Sequence, residues 1–76
     1  MDKEQTLQRF GKKIKEIRES KGLTQAQLAH NIDKDRESIA RLERGAINPT
    51  YIYLLEVCEG LEITIEELMR FSANNE

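Results

Sequence analysis

Signals that start and stop helices recur so closely along this chain that no long element fits after Gly22. Lys21-Gly22 pairs a basic last turn with a residue free to turn left-handed, which ends a first helix. Thr24 and Gln27, three residues apart, form a capping-box pattern that opens a second. After the polar connection Asp33-Lys34-Asp35, Asp35 is a good N-cap for a third, which Gly45 closes. Pro49 biases Asn48 away from helix, and Thr50 caps a fourth. A second capping box, Thr64 with Glu67, opens the last helix.

The apolar residues between these signals follow a helical period. Leu7, Phe10, Ile14 and Ile17 recur at spacings of three and four, on a segment otherwise rich in Lys, Glu, Gln and Arg. Leu28 and Ala29 serve the second helix, Ile39 and Leu42 the third, and Ile32 packs back between them. Leu54, Val57, Cys58 and Leu61 carry the fourth, whose end Gly60 is expected to loosen; Ile65, Leu68, Met69 and Phe71 carry the fifth. No period-two segment is long enough for a strand. The expectation is an all-α fold, a five-helix bundle, with residues 1–76 as a single domain. Gly11 and Gly60 weaken helix propensity by about 1 kcal/mol each relative to Ala, which points to close packing.

The bundle must stabilise itself by packing. Cys58 is the single cysteine, so no disulfide closes within the chain, and no Cys/His cluster suggests a metal. No apolar stretch has the length of a membrane span or a signal peptide. His30 is the lone histidine and no serine has a paired base, so no catalytic set assembles and no cofactor is expected. The reading is a cytoplasmic, non-enzymatic protein.

Net charge is −2, but the charge is unevenly spread. Through Asn48 there are 11 basic residues against 8 acidic; from Pro49 onward Arg70 faces six glutamates. Any surface that meets phosphate belongs to the first part.

Two short helices joined by a tight turn, about residues 24–44, give the sequence picture of a helix-turn-helix. More specific is the run of Arg18, Leu23-Thr24-Gln25, Leu28-Ala29, Glu43-Arg44-Gly45, Asn48-Pro49-Thr50 and Leu61 in one register. In these residues the chain resembles the XRE family, the lambda-repressor-like or Cro/C1-type helix-turn-helix domains, from about Phe10 to Leu68. In length and in the stretch from Asp35-Arg36 to Thr50 it is most similar to the controller proteins of restriction–modification systems. The resemblance implies a DNA-binding transcriptional regulator with Gln25 to about Asn31 as positioning helix and Arg36 to Glu43 as recognition helix. The partner it implies is double-stranded DNA.

The first residues of such a helix enter the major groove. There Arg36 can donate a fork to guanine O6 and N7, and Glu37 can accept from a cytosine amino group. Arg41 lies five residues along and reaches a flanking base or a phosphate. Ser38 suits a phosphate or a base edge. Gln25 follows the Thr24 cap at a helix N-terminus, where anions bind, and the resemblance makes it a phosphate contact that also supports the recognition helix. The resemblance adds phosphate contacts at Arg44 and the backbone around Gly45, and a buried structural ion pair between Arg18 and Glu43; Asn48 and Thr50 are expected to add phosphate contacts from the loop. Asp33-Lys34 departs from the family, which has a glycine and an aliphatic residue in this turn, so Lys34 is expected to face solvent or DNA and the helix register could shift.

One short recognition helix reads only a few base pairs, so a homodimer on two half-sites is expected. Tyr51, Tyr53, Ile63, Ile65, Met69 and Phe71 provide more apolar surface than the core needs. Residues 61–71 are the expected dimerisation segment, with Ile63, Ile65, Met69 and Phe71 on the interface. The alternative is an antitoxin or protein-interaction module of the same fold, whose acidic stretch from Glu56 to Glu67 meets a basic partner such as a toxin.

Overall fold

A computed structural model of the chain describes the backbone of residues 1–73 and the side chains through Arg70. Five helices follow one another: α1 (Lys3–Ser20), α2 (Gln25–Asn31), α3 (Arg36–Glu43), α4 (Tyr51–Leu61) and α5 (Ile65–Ala73). The described residues contain no strand.

Each helix starts in the same way. The side chains of Asp2, Thr24, Asp35, Thr50 and Thr64 each accept a hydrogen bond from the backbone N–H three residues on, at 2.8–3.2 Å. Both expected capping boxes close, because the Gln27 and Glu67 side chains accept in return from the Thr24 and Thr64 amides, each at 2.8 Å. Asp2 caps α1 likewise, although the sequence there reads only as a polar terminus.

The first four helices also end alike. A residue with positive φ follows the last turn, and the next amide donates back to a carbonyl five residues earlier: Leu23 to Arg18, Lys34 to Ala29, Ala46 to Arg41 and Ile63 to Cys58, at 2.9–3.2 Å. This Schellman geometry satisfies carbonyls that the helix leaves free. The left-handed residue is Gly22 or Gly45 in two cases, as expected, and Asp33 or Glu62 in the others.

Gly60 therefore does not loosen α4. The helix runs through it to Leu61 and stops at Glu62, φ 60°. Gly60 stays helical because its missing side chain makes room for α2: a Cβ there would lie 2.6 Å from the Ile32 Cγ2 and 2.8 Å from the Leu28 Cδ1.

The core consists of Ile14, Ile17, Leu28, Ala29, Ile32, Ile39, Leu42, Val57, Cys58, Leu61 and Leu68. Every helix contributes, and α3 packs against α1 and α2 while α5 closes over α1 and α4. Burial pushes the Cys58 thiol above its ordinary pKa, as suits a small core residue. Gly11 brings the α1 backbone against the end of α3: a Cβ there would lie 2.5 Å from the Leu42 carbonyl oxygen and as tightly against that of Glu43.

Candidate nucleic-acid interface

Helix α3 is short, and its two sides are unlike. Ile39 and Leu42 are buried at its back with Glu43, whereas Arg36, Glu37 and Arg44 are exposed and Ala40 and Arg41 half-buried. By helical geometry Glu37, Arg41 and Arg44 lie opposite the buried side, with the small Ala40 beside them and Arg36 and Ser38 on the flanks. Ala40, which sequence reasoning missed, is a short side chain among long polar ones.

The back of α3 is held by charge as well as by apolar packing. Arg18 Nε donates to Glu43 Oε2 at 2.6 Å and Arg18 Nη2 to Glu43 Oε1 at 3.0 Å, a bidentate pair with side chains 7% and 3% exposed. Arg18 Nη1 donates to the Leu23 carbonyl at 2.6 Å, so one guanidinium joins α1, the α1–α2 loop and α3. The hydrogen bonds to Glu43 raise the Arg18 pKa above its ordinary value against the opposing effect of burial. A third donor reaches the carboxylate: Gln25 Nε2, at 3.0 Å from Glu43 Oε1. The half-buried Gln25 thereby links the start of α2 to the end of α3.

On the outward face Glu37 and Arg44 approach each other, Oε2 to Nη2 at 3.5 Å, both more than half exposed. A pair this open contributes little to stability. Ser38 is half-buried on the flank of α3. The Tyr53 hydroxyl is buried without a hydrogen-bond partner, and burial raises its pKa, with Ser38 and Arg41 opposing. Asn48 and Thr50 are exposed in the loop after α3. Thr50 Oγ1 accepts from the Tyr53 amide at 3.0 Å, which leaves its hydroxyl proton to donate elsewhere.

The Lys34 side chain is 37% exposed, in keeping with a residue facing solvent, and it also leans on α4. Its ammonium lies 3.4 Å from Glu56 Oε1 and 5.8 Å from the centre of the Tyr53 ring, so it faces α4. Asp33, φ 58°, takes the glycine's backbone conformation, and α3 begins at Arg36 with no shift of register.

Of the apolar residues expected on a dimer face, Ile63 and Ile65 are half-buried against the core and Met69 is 41% exposed. The Phe71 side chain lies outside the described residues. Tyr53 belongs to the α3–α4 junction. Tyr51 and Ile52, the latter missed in the sequence, are each 63% exposed at the start of α4.

The helix-turn-helix family profile matches residues 14–68, from the middle of α1 to the middle of α5. The chain belongs to the helix-turn-helix family of XRE type. It is a DNA-binding transcriptional regulator. The control protein C.MunI of a Mycoplasma species is 39% identical over 61 residues, spanning 79% of this chain and 82% of that protein. Among solved structures, the restriction-modification controller protein C.AhdI from Aeromonas hydrophila superposes with a TM-score of 0.79 at 35% identity, covering 82% of this chain and 94% of that one. The wild-type restriction-modification controller protein C.Esp1396I superposes at 0.84 with 32% identity, covering 91% and 88%. Among the described residues no helix is long and apolar enough to cross a membrane.

Proposed function

We propose that this regulator binds its operator as a homodimer, one α3 entering the major groove at each of two half-sites about one helical turn apart. The observation that carries the reading is the two-sidedness of α3. Its back is anchored by Ile39, Leu42 and the Arg18–Glu43 pair, while Arg36 and Glu37 are exposed and Arg41 is half-buried on its other sides. Arg36 reads guanine and Glu37 reads cytosine; Arg41 reaches a flanking base. Gln25, Ser38, Arg44, Asn48 and Thr50 contact phosphate, Ser38 from the flank of α3 beside Tyr53. In the free protein Glu37 approaches Arg44, so binding redistributes that pair between a base edge and the backbone.

The dimer face includes Ile63, Ile65, Met69 and Phe71 around α5. Tyr51 and Ile52 at the start of α4 are further exposed large apolar side chains. Likeness to C.MunI, C.AhdI and C.Esp1396I supports a controller-type regulator acting in the cytoplasm. Glu59, Glu62 and Glu66 are exposed on the acidic part of the chain, which supports a basic partner protein as the second reading.

A binding selection on random duplex DNA with the purified protein tests the first reading. A paired motif with about one helical turn between half-site centres is expected. Loss of preference at one position per half-site in Arg36→Ala supports the assignment of that residue. Single unpaired sites, together with a strict monomer by light scattering at high concentration, would refute the dimer.

A further inference from the structure

The carboxylate of Glu43 can only accept hydrogen bonds. The group that Gln25 turns toward it is therefore the amide nitrogen, at 3.0 Å. The amide cannot flip without setting its carbonyl oxygen against a buried anion. One Nε2 proton is used on Glu43, and the other has no protein partner among the described residues. Arg18 completes the arrangement: its bidentate bonds at 2.6 and 3.0 Å neutralise the carboxylate lying behind Gln25. A second anion can then approach Gln25 without meeting an uncompensated charge.

We propose that Glu43, itself paired to Arg18, is the positioning residue for the DNA-backbone grip of Gln25: it fixes the amide so that the free N–H is presented to a phosphate oxygen. The proposal rests on the reading of Gln25 as a phosphate contact. It gives the buried ion pair a part in binding as well as in folding. The pair spends no bond on the ligand; it selects which end of a neighbouring side chain the ligand meets. The gain is preorganisation, because the amide is held before DNA arrives.

The test is a double-mutant cycle on operator duplex by fluorescence anisotropy at constant salt. Gln25→Ala is measured in the wild-type chain and in the Arg18→Met/Glu43→Leu chain, whose apolar replacements of similar volume avoid a stranded charge. In the wild-type background the loss of one hydrogen bond to an anion is expected to weaken binding about tenfold. In the charge-free background the same substitution is expected to change affinity less than about twofold, because the amide there is already unanchored. An equal loss in both backgrounds would show that Gln25 acts without Glu43 and would overturn the proposal. No loss in the wild-type background would remove the phosphate contact itself, and the positioning role with it. Side-chain 15N relaxation of Gln25 in free wild-type protein needs no variant to fold. An ordered amide supports the proposal, and one as mobile as exposed Gln8 overturns it.

Discussion

Replacing Gly11 by alanine sets two effects of opposite sign against each other. In a helix interior the change from glycine to alanine ordinarily stabilises by about 1 kcal/mol, through reduced freedom of the unfolded chain. Here the added methyl would sit 2.5 Å from the Leu42 carbonyl oxygen and as tightly against that of Glu43. A carbon and a carbonyl oxygen normally approach to about 3.3 Å, so the two backbones must part by about 0.8 Å. Neither obstacle is the end of a flexible side chain. Separation would loosen Ile14 against Ile39 and Leu42 and stretch the 2.6 and 3.0 Å bonds between Arg18 and Glu43. Overpacking of this kind costs about 3 kcal/mol at the upper end, so the net loss is about 2 kcal/mol. In a domain of this size that lowers the melting temperature by about 8–16 °C. Urea unfolding followed by circular dichroism measures the change, with Gly22→Ala as control. Gly22 has nothing within 4 Å of its would-be Cβ, and only its φ of +73° opposes alanine, at a cost of about 1 kcal/mol. A Gly11→Ala chain as stable as wild type, or more so, would refute the close approach of α1 to α3.

Asp33 holds a left-handed conformation at φ 58°, so Asp33→Gly is expected to gain about 0.5–1 kcal/mol in urea unfolding and Asp33→Val to lose more than that. Arg18→Met strands a carboxylate that is 3% exposed and should cost about 3–5 kcal/mol, most of it recovered when Glu43→Leu is added. A single variant as stable as the double would argue that Glu43 is hydrated. The backbone amides of Ser38 and Thr64 are partly responsible for the acid limb: hydrogen bonding to the Ser38 amide lowers the Asp35 pKa from 3.8, and Thr64 lowers that of Glu67 from 4.5. Both carboxylates bind protons less readily folded than unfolded, so their contribution is full above those ordinary values and is lost as pH falls through the lower folded ones. The melting temperature should therefore decline below about pH 4.5, less steeply in Asp35→Asn, where an amide caps without titrating. Glu37→Gln removes a negative charge from the outward face, and affinity for non-specific DNA should rise by a few-fold at low salt. Unchanged affinity would place Glu37 away from the DNA.

Much of this protein was legible in the sequence because its information is local. A threonine or aspartate three residues before an amide, a glycine after a last turn and apolar residues at spacings of three and four act within one or two turns. They marked the starts of α2, α3, α4 and α5 through the caps Thr24, Asp35, Thr50 and Thr64. The stops at Asp33 and Glu62 were not marked, because a charged residue adopts the left-handed conformation only when its neighbours compel it. Gly60 read both as a loosened end and as a place of close packing, and the approach of Leu28 and Ile32 decides for the second.

For the candidate interface the division is similar. The sequence by itself determined that Arg36, Glu37 and Arg41 lie off the apolar side of α3, since the helical period turns Ile39 and Leu42 inward. What these side chains do before DNA arrives was decided by tertiary structure. Lys34 is drawn to Glu56 and Tyr53, and Gln25 to a carboxylate 18 residues away. Directions such as these depend on opposite charges and unmet hydrogen bonds brought together from distant parts of the chain, and only the packed helices supply them.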